Sequence, residues 1–152
     1  MKKNDWANYT TKKELLEQSD IISLNLPLTE ETKDFISLKE IGLIKNSAVL
    51  INTGRGELVK TKQILTALKH GNLAGYGLDV YENEKDYFFQ DLSLSNKRDR
   101  VMSSLIEMNN VVLTAHQAFL TGEALQSMMK TVFKNINDFM EGNEMDGLVS
   151  SE

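Results

Sequence analysis

Apolar and polar positions alternate along this chain in blocks whose lengths separate strands from helices. Asp20 to Leu26, DIISLNL, is a short apolar run with the length and composition of a buried strand. Pro27, the only proline, ends it, because proline has no N–H to give a sheet ladder. Ser47–Asn52 and Ala74–Val80 read as the second and third strands, and Val111–Thr114 as a short fourth. Between the strands the apolar period changes. Ile64, Leu65 and Leu68 give residues 61–71 one apolar face, with Gly71 as a left-handed stop. Val101, Leu105 and Ile106 are expected to face inward from a short helix over 98–107. Leu125, Met129, Val132, Ile136 and Phe139 follow one another at alternating spacings of four and three, which predicts a long helix from Thr121 to Glu141 that Gly142 stops. Thr11 with Glu14, and Ser37 with Glu40, have the spacing of capping boxes, and Ile36 with Ile41 that of a hydrophobic staple.

Strands that alternate with helices imply an α/β fold with a parallel sheet and right-handed crossovers. The centre of the pattern is Ala48 to Glu84: strand, glycine-framed turn, amphipathic helix, strand, acidic turn. Ligands of open α/β sheets bind beyond the carboxyl ends of the strands. Asn52, Thr53, Gly54 and Arg55 leave one strand there; Asp79, Tyr81, Glu82 and Glu84 leave the next. The small residues Ala74, Gly75 and Gly77 would let a helix or ligand approach closely.

At 152 residues the chain can hold one domain with a proper core. A formal charge of −5 without a basic stripe argues against a nucleic-acid partner. No apolar run reaches membrane-helix length, and the polar start MKKNDW is not a secretory signal. There is no cysteine, so neither a disulfide framework nor a thiolate metal site is expected, and the cytoplasm suits the chain. Two histidines, His70 and His116, are too few for a multi-histidine metal centre, and no metal is expected. The methionines lie at helical spacing, as core filling would place them.

Arg55, between Gly54 and Gly56, is either a guanidinium presented to a carboxylate or carbonyl, with the glycines permitting close approach, or a solvated turn residue. Asp79 and Glu84 each read as ligand-orienting acids or as plain turn residues, and a lone His116 is more often structural than catalytic. Together they mean more. Three strand ends deliver an arginine, two carboxylates and an imidazole to one sheet edge, the set that proton-coupled chemistry on a carboxylic acid requires.

NTGRGELV, GYGLDVYENE and TAHQAF resemble the D-isomer-specific 2-hydroxyacid dehydrogenases, in the carboxyl-terminal part of their NAD-binding domain. The aromatic segment YENEKDYFFQDLS is most similar to the fermentative D-lactate dehydrogenases among them. The resemblance covers about Tyr9 to Gly142. It implies that Arg55 holds the carboxylate and carbonyl of a 2-keto acid such as pyruvate, and that His116 is the general acid/base on the keto oxygen. It implies that Glu84 hydrogen-bonds His116 and that its charge favours the imidazolium. It implies that Asp79 contacts the nicotinamide of NAD, and that Leu26, Pro27, Thr32, Thr53, Gly54 and Arg55 line the cofactor site. Asn25 stands where the family often has histidine, and Lys60 where it often has an acid. A flavodoxin-like signalling domain would share the strand–helix alternation but not explain the arginine, glutamate and histidine set.

The large departure is the absence of any G-x-G-x-x-G turn, whose backbone N–H groups bind the cofactor pyrophosphate in a complete member. The implied fold is a partial Rossmann-like parallel sheet of about four strands with flanking helices, lacking the first βαβ unit and its glycine-rich loop. Residues 1–116 would be the carboxyl-terminal portion of that domain, 117–142 a long helix at the junction with a substrate domain, and 143–152 a loose tail. Such a chain is expected to need a second half, or to self-associate through the exposed strand 20–26 and the apolar stripe of the last helix. The alternative is a non-catalytic remnant or interaction module that keeps the fold without turnover.

Overall fold

A computed structural model describes residues 7–89, 91, 99–143 and 147. Most of the expected tail, and the polar segment before Asp99, lie outside these residues. The chain divides into two compact units, Met1–His116 and Gln117–Glu152. In the first unit, helix α1 (Lys12–Gln18) precedes strand β1 (Ile21–Leu24), the short helix α2 (Leu38–Ile41), strand β2 (Val49–Asn52), helix α3 (Thr61–Lys69), strand β3 (Gly75–Leu78), helix α4 (Arg100–Ile106) and strand β4 (Val111–Leu113). Helix α5 (Gly122–Glu141) belongs to the second.

The four strands form one parallel sheet in the order β1-β2-β3-β4, with Ile22, Leu50, Tyr76 and Val111 in one row across it and Leu24, Asn52, Leu78 and Leu113 in the next. Both rows lie on the sheet face that packs into a single core with Leu16 of α1, Ile41 of α2, Ile64, Leu65 and Leu68 of α3, and Leu105 of α4. The other face is open: Ile21 is 66% and Val112 65% exposed, and with Val49, Ile51 and Gly77 half-buried it forms a shallow apolar surface. The run 20–26 is therefore not buried on both sides as its composition implied, because strand side chains alternate and only one face is covered. The strands are also shorter at their ends than the apolar runs, since the flanking residues enter turns.

Both capping boxes form, Glu14 closing on Thr11 and Glu40 on Ser37. Ile106 departs from expectation. It lies 100° around α4 from Leu105 and is 60% exposed, whereas Leu105 is fully buried. None of the residues of α5 is buried, and Leu125, Met129, Val132, Ile136 and Phe139 of its stripe are all exposed.

Candidate active site

The site grows from the loops that leave β2, β3 and β4 at their carboxyl ends. After β2, the fully buried Asn52 folds back on its own loop: its amide oxygen accepts the Gly54 N–H at 3.1 Å, and its amide donates to the Arg55 carbonyl at 2.9 Å. An asparagine that satisfies two backbone groups of the turn it precedes fixes where Arg55 emerges. Arg55 is exposed, and one Nη1–H donates to the Gly54 carbonyl at 2.7 Å. The guanidinium's remaining N–H groups keep the fork that a carboxylate binds.

The glycines beside Arg55 have close neighbours within the protein. A Cβ on Gly54 would lie 2.9 Å from Leu58 Cδ1 and 3.1 Å from the Leu26 carbonyl. A Cβ on Gly56 would lie 2.1 Å from the Tyr81 carbonyl carbon and 2.3 Å from the Glu82 nitrogen. Both glycines therefore leave room for the protein's own atoms beside Arg55. Gly75 and Gly77 are likewise met by protein, the first by the Asn110 carbonyl at 3.2 Å and the second by Ile51 at ordinary contact distance.

After β3, Asp79 is buried, and its carboxylate accepts the Thr114 hydroxyl at 2.5 Å. Its backbone carbonyl takes the His116 N–H, also at 2.5 Å. The acidic turn follows. Glu84 Oε2 accepts the Tyr81 N–H at 3.2 Å while Oε1 lies 3.0 Å from His116 Nδ1. Two oxygens of one carboxylate thus hold the turn and the imidazole together, which leaves Nε2 as the ring nitrogen turned to other partners. The Tyr81 ring is buried, and its hydroxyl donates to Asp99 Oδ2 at 2.7 Å. Asp99 Oδ1 in turn caps α4, accepting the N–H groups of Val101 and Met102. Burial, and then the Asp99 carboxylate, push the Tyr81 hydroxyl well above the ordinary tyrosine range, so it stays a donor.

After β4, Ala115 and His116 both adopt left-handed backbone, with φ of 53° and 57°. Non-glycine residues rarely do so, and such strain gathers at functional sites. Here it bends the chain sharply enough to bring the imidazole back onto Glu84.

Glu82 is half-buried, and the Thr61 N–H at the start of α3 favours its charged form. Burial outweighs this and, with the acids Asp99, Asp34 and Glu57 around it, holds its carboxyl above the usual range. Arg55, Glu82 and Glu84 line a common cavity of about 570 Å³, with Tyr81, Glu57 and Leu28. His116 is not among its lining residues, so the structure joins Arg55 to Glu84 through this cavity and Glu84 to His116 through a hydrogen bond. The residues expected along a cofactor lie at the β1 and β2 ends. Leu26 is half-buried, Pro27 and Thr53 are exposed, and Thr32 donates its hydroxyl to the Pro27 carbonyl at 2.7 Å. Among the described residues, no group of three or more histidine, aspartate and glutamate side chains is placed to hold a metal ion.

Sequence reasoning missed Thr114 and Asp99, and it placed Asn52, Gly56 and Tyr81 at the strand ends without the contacts they make. Only Asn52 carried a local signal, an asparagine directly before a turn. The others act through contacts between residues that are distant in the chain.

Comparison with known proteins identifies the family. A model of the family described as D-isomer specific 2-hydroxyacid dehydrogenase, NAD binding domain, matches residues 1–118. The D-lactate dehydrogenase of Escherichia coli K12 is 39% identical over 136 residues, covering 90% of this chain and 41% of the relative. A 2-hydroxyacid dehydrogenase homolog of Zymomonas mobilis is 42% identical over 142 residues, or 93% of this chain and 43% of the relative. Among solved structures, D-lactate dehydrogenase with NAD+ from Lactobacillus jensenii superposes with a TM-score of 0.87 at 32% identity, over 94% of this chain and 43% of that one. The chain thus spans less than half the length of these relatives. With its parallel sheet, its strand-end site and these matches, the chain belongs to the D-isomer specific 2-hydroxyacid dehydrogenases and corresponds to part of their NAD-binding domain.

Proposed function

We propose that this chain carries the substrate-carboxylate and proton-transfer residues of an NAD-dependent D-2-hydroxyacid dehydrogenase, acting on a 2-keto acid such as pyruvate. The observation that supports it best is the Glu84–His116 pair at 3.0 Å, reached by a strained left-handed bend at the end of β4. A solvated turn would have no reason to hold that geometry.

The residues present fit the nicotinamide end of the cofactor. Asp79 offers a carboxylate at the end of β3, the acceptor that a carboxamide N–H needs, and Leu26, Pro27, Thr32, Thr53 and Gly54 frame the neighbouring strand ends. Nothing in the sequence offers the glycine-rich turn that binds a pyrophosphate. When bound, reduced NAD supplies a hydride to the keto carbon. Arg55 holds the substrate carboxylate through its fork. His116 Nε2 gives a proton to the keto oxygen, while Glu84 fixes the ring and offsets the imidazolium charge. A hydroxy acid results, and the reverse direction returns the proton to His116.

The test is NADH oxidation with pyruvate by the purified chain, with a direct titration of NADH. Turnover lost at least 100-fold in His116→Ala is expected. Absence of turnover and of saturable NADH binding would favour the second reading, a remnant or interaction module that keeps the fold without turnover.

A further inference from the structure

Gly56 carries an ordinary backbone conformation, so nothing about its own φ demands glycine. Its neighbours do. The Tyr81–Glu82 peptide sits where a Cβ would be, with the Tyr81 carbonyl carbon, the Glu82 nitrogen and the Tyr81 oxygen at 2.1, 2.3 and 2.5 Å from that position. All three are backbone atoms, which cannot step aside as a flexible side chain can. Gly56 adjoins Arg55 on one side of this contact. On the other side, Tyr81 N–H holds the Glu84 carboxylate, and that carboxylate holds His116.

We propose that Gly56 is a positioning residue. Its bare Cα seats the Tyr81–Glu82 peptide directly on the turn that carries Arg55, and so sets the Glu84–His116 pair at a fixed distance from the guanidinium. The inference rests on the dehydrogenase reading for its purpose, though not for its geometry. Two polar anchors reach the same turn from its flanks: the Tyr81 hydroxyl, which donates to Asp99, and the Glu82 carboxylate, whose charge the Thr61 N–H favours. These steady the turn, whereas the Gly56 seat determines where it stands. A substitution at Gly56 would move Glu84 by more than its hydrogen bond tolerates, since bonds weaken steeply beyond normal length and angle.

The experiment follows the His116 ring by nitrogen-edited NMR in the full 152-residue chain, with the signal identified by its disappearance in His116→Ala. The reporter is the Nδ1–H proton shared with Glu84, and the methyl signals of the buried Ile64 and Leu50 report the core. Gly56→Ala is expected to lose the Nδ1–H signal while the methyl signals stay in place. Gly77→Ala, whose Cβ would meet Ile51 at an ordinary 3.7 Å, is expected to keep both. The double variant Tyr81→Phe/Glu82→Ala, which removes both polar anchors and leaves the seat, is expected to keep the Nδ1–H signal. The proposal is overturned by a Gly56→Ala chain that retains the signal, or by a double variant that loses it. If Gly56→Ala does not fold, the double variant alone decides. A wild-type chain without turnover whose signal still depends on Gly56 would remove the dehydrogenase reading and leave the positioning contact in force.

Discussion

Asn52 shows how much of the site depends on one buried amide. Both of its polar atoms are used by the loop that follows, and no water reaches it to replace them. Asn52→Ala should therefore cost about 2 kcal/mol, because two partly buried backbone groups lose their partner, read as a shift of the urea midpoint. Tyr81→Phe keeps the buried ring and removes only the hydroxyl that donates to Asp99. Its expected cost is about 1 kcal/mol, smaller because Asp99 keeps its capping bonds to α4. At this scale the sequence was partly legible. Arg55, Asp79, Glu84 and His116 could be placed at strand ends from pattern alone, because strand period and turn residues are local signals. That Glu84 and His116 touch follows from two consecutive left-handed residues, and nothing in Ala115 or His116 announces them. The contact that Gly56 makes was not legible for a similar reason: its partner lies 25 positions further on, at Tyr81.

Helix α4 gives a sharp contrast between neighbouring residues. Leu105→Ala should destabilise the fold by about 2–4 kcal/mol through a cavity in the core, whereas Ile106→Ala should change it by less than about 0.5 kcal/mol. Thermal unfolding of the two variants checks this directly. The sequence assigned both residues to the inner face; a seven-residue helix is too short for periodicity to separate positions 100° apart. In α2 the relevant group is Glu40. Partial burial pushes its carboxyl up, but the Ser37 hydroxyl and N–H, with the Lys12 ammonium, outweigh this and hold it down to about 2. The unfolded chain therefore takes up this proton first. The stability Glu40 contributes is complete above its ordinary value of 4.5 and is lost as pH falls toward about 2. Glu40→Gln should flatten the acid limb of a stability–pH curve over that interval and leave the limb above pH 5 parallel to wild type.

For the whole molecule, the apolar surface left uncovered matters as much as the core. The stripe of α5 and the open sheet face are both exposed, and β1 is the end strand of the sheet among the described residues. Eight apolar residues of α5, from Leu125 to Met140, are exposed by 40–78%. A soluble monomer seldom leaves patches beyond about 300–600 Å² in the open. The chain alone should therefore associate, with a melt and a sedimentation profile that shift with concentration; Ile136→Asp should weaken that shift by interrupting the stripe. The α/β architecture and parallel sheet were legible from the alternation of strand and helix periods. Which sheet face is open was not, because a run such as DIISLNL has the same composition whether one side or both are covered. The left-handed bend at Ala115 and His116 sets an opposing demand on the same molecule. Ala115→Gly would relax it and should raise stability by about 1 kcal/mol. Selection for persistence alone would thus accept glycine there, and a lineage freed from turnover would have an easy route away from this bend.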